Sequence, residues 1–190
     1  MTKVYFIRHA QCDNSWTCDE SRPLTQEGQE DAKKIINFFK GNSIDYIFSS
    51  PYKRTKDTIT PLSEELKINI EMVDDFRERK SGEGGNTFDL MQKRWNNFNF
   101  CEFNGECLKD VQKRIVYAFN DILLKYKDKN IIVVTHGTAL FTLLNYFDKK
   151  IKCEDYLRCI DFYPYIIQMD FEGNKYIQRA ELYYLKKEYK

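Results

Sequence analysis

The chain has 190 residues, 42% of them hydrophobic, which is enough to bury one substantial core. Its 30 Lys and Arg nearly cancel 29 Asp and Glu and are interleaved with them, so no basic stripe marks nucleic acid as the main partner. No apolar run approaches the roughly 20 residues of a membrane span. Met1-Thr2-Lys3 leads into a strand pattern instead of a signal peptide, so the expectation is a cytoplasmic protein with no membrane partner.

Val4-Tyr5-Phe6-Ile7 is a continuous apolar run of the kind that forms a strand buried on both faces, and it ends abruptly at Arg8-His9. A polar loop runs from Ala10 to Pro23. Thr25 then has the chemistry of an N-cap, with Ala32, Ile35, Ile36 and Phe39 spaced as one helical face and Gly41-Asn42 as the stop. Ile44 to Phe48 predicts a second strand. Ser50 is suited to cap the helix after it and Pro51 to occupy its first position, with an end near Leu66. A strand is expected over 68–73. The stretch from Asp74 to Gly105 is irregular, with a Gly-rich turn (Gly82, Gly84, Gly85) and an aromatic cluster of Phe88, Trp95, Phe98, Phe100 and Phe103. Residues 108–126 predict an amphipathic helix with Val111, Ile115, Phe119 and Leu123 on one side. Ile131-Ile132-Val133-Val134 predicts a strand that ends in Thr135-His136-Gly137, with a short helix over 138–146 after it. Alternation over 163–171 and 175–184, around Glu172-Gly173-Asn174, predicts an antiparallel edge hairpin.

Strands alternating with helices imply an α/β fold: a three-layer sandwich, its central sheet mostly parallel with an antiparallel edge, and helices on both faces. One domain over 1–190 is expected, with an irregular or helical insert at about 76–105 over the active site. The six cysteines pair as Cys12/Cys18, Cys101/Cys107 and Cys153/Cys159, each with five residues between. No C-x-x-C is present and histidines number two, so a metal site is poorly supplied and reduced packing thiols are expected. No cysteine has an arginine six residues later, and no G-x-x-x-x-G-K-[ST] loop occurs, which argues against cysteine phosphatases and P-loop enzymes.

Both histidines, His9 and His136, fall at strand ends, where α/β sheets bind ligands. One such histidine is more often structural; two converge on one crevice. Arg8 adjoins His9, and Arg54 lies in the first turn of its helix, which suits a phosphate, although a solvated Arg54 is an equal reading from spacing alone. Gln11 and Asn14 are further candidate phosphate donors.

These residues carry a resemblance. Ile7-Arg8-His9-Ala10, Pro23-Leu24-Thr25-x-x-Gly28, Ser49-Ser50-Pro51-x-x-Arg54-x-x-x-Thr58, Phe76-Arg77-Glu78-Arg79, Gly105-Glu106-Cys107 and Val134-Thr135-His136-Gly137 occur in the order of the histidine phosphatase superfamily's motifs, over about residues 3–145. The chain resembles that superfamily, which includes the cofactor-dependent phosphoglycerate mutases. The resemblance implies His9 as the nucleophile that becomes a phosphohistidine. It implies Arg8, Arg54 and His136 as clamps on the phosphoryl oxygens, and Glu78 as the acid/base. On its residues alone, Glu78 is one carboxylate among Asp74, Asp75 and Glu83. No metal or cofactor is implied. Ala10 and Cys107 stand where the family more often has Gly and Ser, and the loop before Pro23 is short.

The implied reaction is metal-independent hydrolysis of a phosphate monoester, with a small phosphorylated metabolite as partner. The alternatives are a 2,3-bisphosphoglycerate-dependent phosphoglycerate mutase, which at this length lacks room for a shielding lid, and a protein phosphohistidine phosphatase. An unprotonated His9 and a charged His136 are expected. Substrate choice is expected in Gln11–Arg22 and Asp89–Asn104, whose aromatics either wall the leaving group or, as burial favours, pack the insert. The edge hairpin is compatible with a monomer or a homodimer.

Overall fold

The computed structural model describes residues 1–188. Six strands form one sheet in the order β3-β2-β4-β1-β5-β6. They are β1 (Thr2–Arg8), β2 (Tyr46–Ser49), β3 (Ile70–Met72), β4 (Asn130–Thr135), β5 (Phe162–Glu172) and β6 (Lys175–Lys186). The first four are parallel, while β5 runs antiparallel to β1 and β6 antiparallel to β5. The sheet is thus mostly parallel with an antiparallel edge.

The apolar run of β1 explains the layering. Val4 and Phe6 point to one face, where they pack with Val111, Ile115 and Phe119 of α4 (Leu108–Lys125) and Leu140 and Leu144 of α5 (Gly137–Phe147). Tyr5 and Ile7 point to the other, against Ile35 and Phe39 of α1 (Gln26–Phe39) and Ile59 and Leu62 of α2 (Lys53–Leu66). A strand covered on both faces has no polar face to spare, so its sequence reads as continuous rather than alternating. Thr25 caps α1, its hydroxyl accepting the Gly28 amide at 2.9 Å, an arrangement worth about 1 kcal/mol.

The elements depart from the sequence-based expectation in two places. Helix α2 begins at Lys53 with Tyr52 at its cap, not at Ser50-Pro51, and the Ser50 hydroxyl is shared between the Tyr52 amide and His136. The insert expected to be irregular or helical contains α3 (Phe88–Asn96), capped by the Thr87 hydroxyl. A short helix, α6 (Cys153–Arg158), precedes β5. Among the described residues no helix is long and apolar enough to cross a membrane. All six cysteines are free thiols, four of them buried.

Candidate active site

Parallel register places the carboxyl ends of three strands together. Arg8 is opposite Thr135, and Ser49 is opposite Val134, so the next residues, His9, His136 and Ser50, emerge side by side. The His9 and His136 rings are 5.3 Å apart. His9 Nδ1 lies 2.7 Å from the Ala10 carbonyl oxygen. A carbonyl only accepts, so Nδ1 carries the proton and Nε2 the lone pair. Arg54 Nε donates to that Nε2 at 3.3 Å, which agrees with the assignment.

Arg54 is buried and braced by Asp19, its Nη1 donating to the Asp19 carbonyl at 2.5 Å and its Nη2 lying 3.2 Å from the carboxylate. It is therefore no solvated helix residue. Thr58, one helical turn on, accepts the Ala10 amide at 2.9 Å and donates to the Arg54 carbonyl at 2.6 Å, tying α2 to the segment after β1. Arg8 donates through Nη1 to the Cys159 carbonyl at 2.7 Å and through Nη2 to the Tyr163 hydroxyl at 2.5 Å. A Cβ on Gly137 would meet the Arg8 guanidinium at 3.2 Å, so glycine there permits the close approach. Ala10 is fully buried beside Leu24 and Ala32 and has no positive φ, so a glycine is not required by the backbone.

Glu78 reaches the same place from the opposite wall. Its carboxylate accepts the Thr138 amide at 3.1 Å and the Ala139 amide at 3.2 Å, the free donors at the start of α5, and the Arg79 amide at 2.7 Å. The chain around it is held by Arg114 of α4, which donates to the carbonyls of Asp75 (2.7 Å), Arg77 (2.9 Å) and Glu78 (3.1 Å) and grips Glu106 bidentately at 2.7 and 2.9 Å. Thr135 adds a bond to the Phe76 carbonyl at 2.7 Å.

Arg8, His9, Arg54 and Glu78 line one cleft of about 880 Å³, with His136 buried just behind. Gln11 is not brought there. Its side-chain oxygen accepts the Thr25 hydroxyl at 3.0 Å, and it faces a separate depression, because the turn after His9 aims it at the start of α1. The aromatics Phe88, Trp95, Phe98 and Phe100 do not line the cleft either; Trp95 packs on Phe98 and Tyr156, and the residue of α3 that does line it is Met91. Two further cleft residues are not singled out by the sequence. Arg22, beside the Pro23-Leu24-Thr25 motif, carries a positional hint, whereas Tyr163 carries none.

The electrostatics follow from burial among cations. Burial, then Arg54, then Arg8 push His9 well below its ordinary pKa. Burial, Arg54 and His9 do the same to His136, so the two move in one direction and the expected charged His136 is not supported. A neutral His136 keeps a donor. Ser50 Oγ accepts the Tyr52 amide at 3.3 Å and lies 2.8 Å from His136 Nε2, which suits a hydroxyl donating to Nε2 and leaves the ring proton on Nδ1. Among the described residues, the buried side-chain nitrogens without a hydrogen-bond partner are that Nδ1, Arg8 Nε and Arg22 Nε. Arg8 and Arg22 line the cleft and His136 lies behind it, and each unmet buried donor costs about 1–3 kcal/mol. No group of three or more His, Cys, Asp or Glu among the described residues could hold a metal ion.

The histidine phosphatase superfamily (branch 1) matches residues 4–176. The chain belongs to this superfamily. It is 30% identical over 151 residues, 76% of each chain, to the uncharacterized phosphatase PhoE of Bacillus subtilis. It is 32% identical over 157 residues, 76% of this chain and 73% of the other, to a probable phosphatase of Schizosaccharomyces pombe. Solved structures share the fold. YhfR of Bacillus stearothermophilus has a TM-score of 0.77 at 21% identity, covering 93% of this chain and 95% of the other. Phosphoserine phosphatase of Entamoeba histolytica, in complex with 3-phosphoglyceric acid, has a TM-score of 0.76 at 19% identity, covering 99% and 98%.

Proposed function

We propose that this histidine phosphatase family member hydrolyses phosphate monoesters through a phosphohistidine on His9. The observation that carries the reading is the state of that ring: Nδ1 is committed to the Ala10 carbonyl, and the Nε2 lone pair sits among arginines. Nε2 attacks phosphorus while Arg8, Arg54 and His136 Nδ1–H take the equatorial oxygens. The ester P–O bond breaks, and a proton on Glu78 passes to the leaving oxygen. Glu78 then takes a proton from water, which attacks phosphorus and releases phosphate and a neutral His9. Arg22 contributes a further cation. With this many cations neutralising the dianion, the chemistry calls for no metal. The names of the curated relatives support a phosphatase, and the exposed residues along the cleft, Lys80, Ser81 and Asn86, favour access of water over the shielding a mutase needs.

The test is rapid quenching with labelled p-nitrophenyl phosphate in the presence of a chelator. An acid-labile, base-stable phosphoryl group on His9 is expected, with turnover unaffected by the chelator and reduced about 10⁴-fold or more in His9→Ala. Turnover by His9→Ala at the parental rate would overturn the reading, and turnover dependent on 2,3-bisphosphoglycerate would indicate a mutase.

A further inference from the structure

Arg8 is braced differently from the other buried arginines. Arg54 leans on Asp19 at 3.2 Å, and Arg79 and Arg94 share Glu102 at 3.3 and 2.7 Å. Among the described residues Arg8 enters no ion pair, and its hydrogen bonds go to two neutral oxygens, the Cys159 carbonyl and the Tyr163 hydroxyl. A carboxylate in their place would offset part of the guanidinium charge and repel an incoming phosphate dianion. Neutral acceptors fix the cation and leave its charge undiminished.

Tyr163 holds Arg8 in two ways. Its hydroxyl accepts Nη2 at 2.5 Å, and its ring centroid lies 4.0 Å from the guanidinium carbon, within the range of a cation–π contact. The same ring sits 5.6 Å from the His9 ring, tilted by 38°, so one side chain flanks both the nucleophile and the cation next to it.

The fold delivers Tyr163 to this place through β5. Tyr165 pairs with Arg8, the last residue of β1, so Tyr163, two residues earlier, lies past the strand end where the cleft opens. Tyr165 itself is buried in the core beside Phe141 and Phe162, whereas Tyr163 is half-buried and lines the cleft. With Nη1 on Cys159 and Nη2 on Tyr163, any turn of the guanidinium plane breaks at least one bond. Its Nε, buried and without a partner, is the donor this arrangement leaves for a ligand.

We propose that Tyr163 is a positioning residue for phosphoryl transfer, holding the Arg8 guanidinium through its hydroxyl and ring so that Arg8 meets the phosphoryl oxygens in one fixed orientation. This role rests on the hydrolytic reading above, because Tyr163 acts through Arg8. The experiment is a double-mutant cycle on kcat/KM for p-nitrophenyl phosphate, with Tyr163→Phe, Arg8→Met and the pair combined. Tyr163→Phe keeps the ring and removes the hydroxyl, and it is expected to lower kcat/KM about tenfold, the size of a hydrogen bond to a charged group. Tyr163→Leu removes the ring contact as well and should lose several-fold more. In the Arg8→Met background the Tyr163→Phe loss should shrink to below about twofold, because the hydroxyl then has no cation to hold. A side chain that only supported the fold would cost the same factor with or without Arg8, so an undiminished loss in that background overturns the proposal. So does a Tyr163→Phe protein within about twofold of the parent. Either outcome leaves hydrolysis through His9 standing. If the unmodified protein turns over no monoester, p-nitrophenyl phosphate included, the parent reading fails and the role of Tyr163 with it.

Discussion

Histidine chemistry at this site is governed by what surrounds the rings rather than by the rings alone. Both imidazoles are buried, and Arg54 and Arg8 add repulsion for a proton on either. His9 is therefore neutral at pH 7, and the proposed attack would need no proton to leave Nε2 first. The rising acid limb of kcat/KM is expected well below pH 6.5, the ordinary histidine value, and a limb at 6.5 or above would contradict the arrangement. Stability carries the same sign. Above about pH 6.5 the histidines are neutral in both folded and unfolded chains; below it the unfolded chain binds protons that the folded one refuses. Folding stability thus falls as pH drops below 6.5, by up to about 1.4 kcal/mol per histidine at pH 5.5, readable as a lower urea midpoint. His9→Asn should remove its share of that slope. The strand-end places of Arg8 and His9 are legible from the apolar run before them. Gln11 departs from its expected place because its direction depends on a turn, and Tyr163 is invisible in the sequence because β5 enters antiparallel, with its amino end at the site.

The elements of this fold are joined by close approaches that tolerate no added atoms. Gly28, in the first turn of α1, is the tightest: a Cβ there would lie 2.1 Å from the Gln11 carbonyl oxygen. That carbonyl also accepts the Thr25 amide at 3.0 Å, so neither partner can retreat without pulling α1 from the segment that carries His9. Gly28→Ala is expected to destabilise by about 1–3 kcal/mol and to lower kcat, whereas an alanine in an exposed helix position normally helps. Unchanged denaturant midpoints would show that the contact relaxes freely. The same tertiary logic explains which elements can be read from the chain. Helices α1 and α4 and strands β1 and β4 bury a periodic face or a whole run, so their pattern survives in the sequence. Helix α6 has six residues and buries only Cys153 and Tyr156, too few to set a period. Ser50 resembles a helix cap because its alternative partner, His136, lies 86 residues away. The hold of Arg114 on the Glu78 segment, through carbonyls 36–39 residues distant, leaves no local trace either.

At the scale of the whole molecule, the cleft is a meeting of parts that are far apart in the chain. Arg8 and His9 come from the end of β1, Arg54 from α2, Glu78 from the loop before α3, Thr138 from α5 and Tyr163 from β5. No unfolded chain holds these together, so a ligand that needs several of them binds the native state alone and stabilises it by mass action. On the proposed mechanism, inorganic phosphate, as product, would take the unpartnered Arg8, Arg22 and His136 nitrogens. At a concentration about 100-fold above its Kd it adds about 2.7 kcal/mol. For a chain of this size that corresponds to a rise in Tm of about 5–11 °C. Chloride at equal ionic strength should give far less, since it lacks the geometry to take several donors at once. Arg54→Met is expected to abolish most of the phosphate-specific rise. A rise of the same size in that variant would mean that phosphate acts at some other surface.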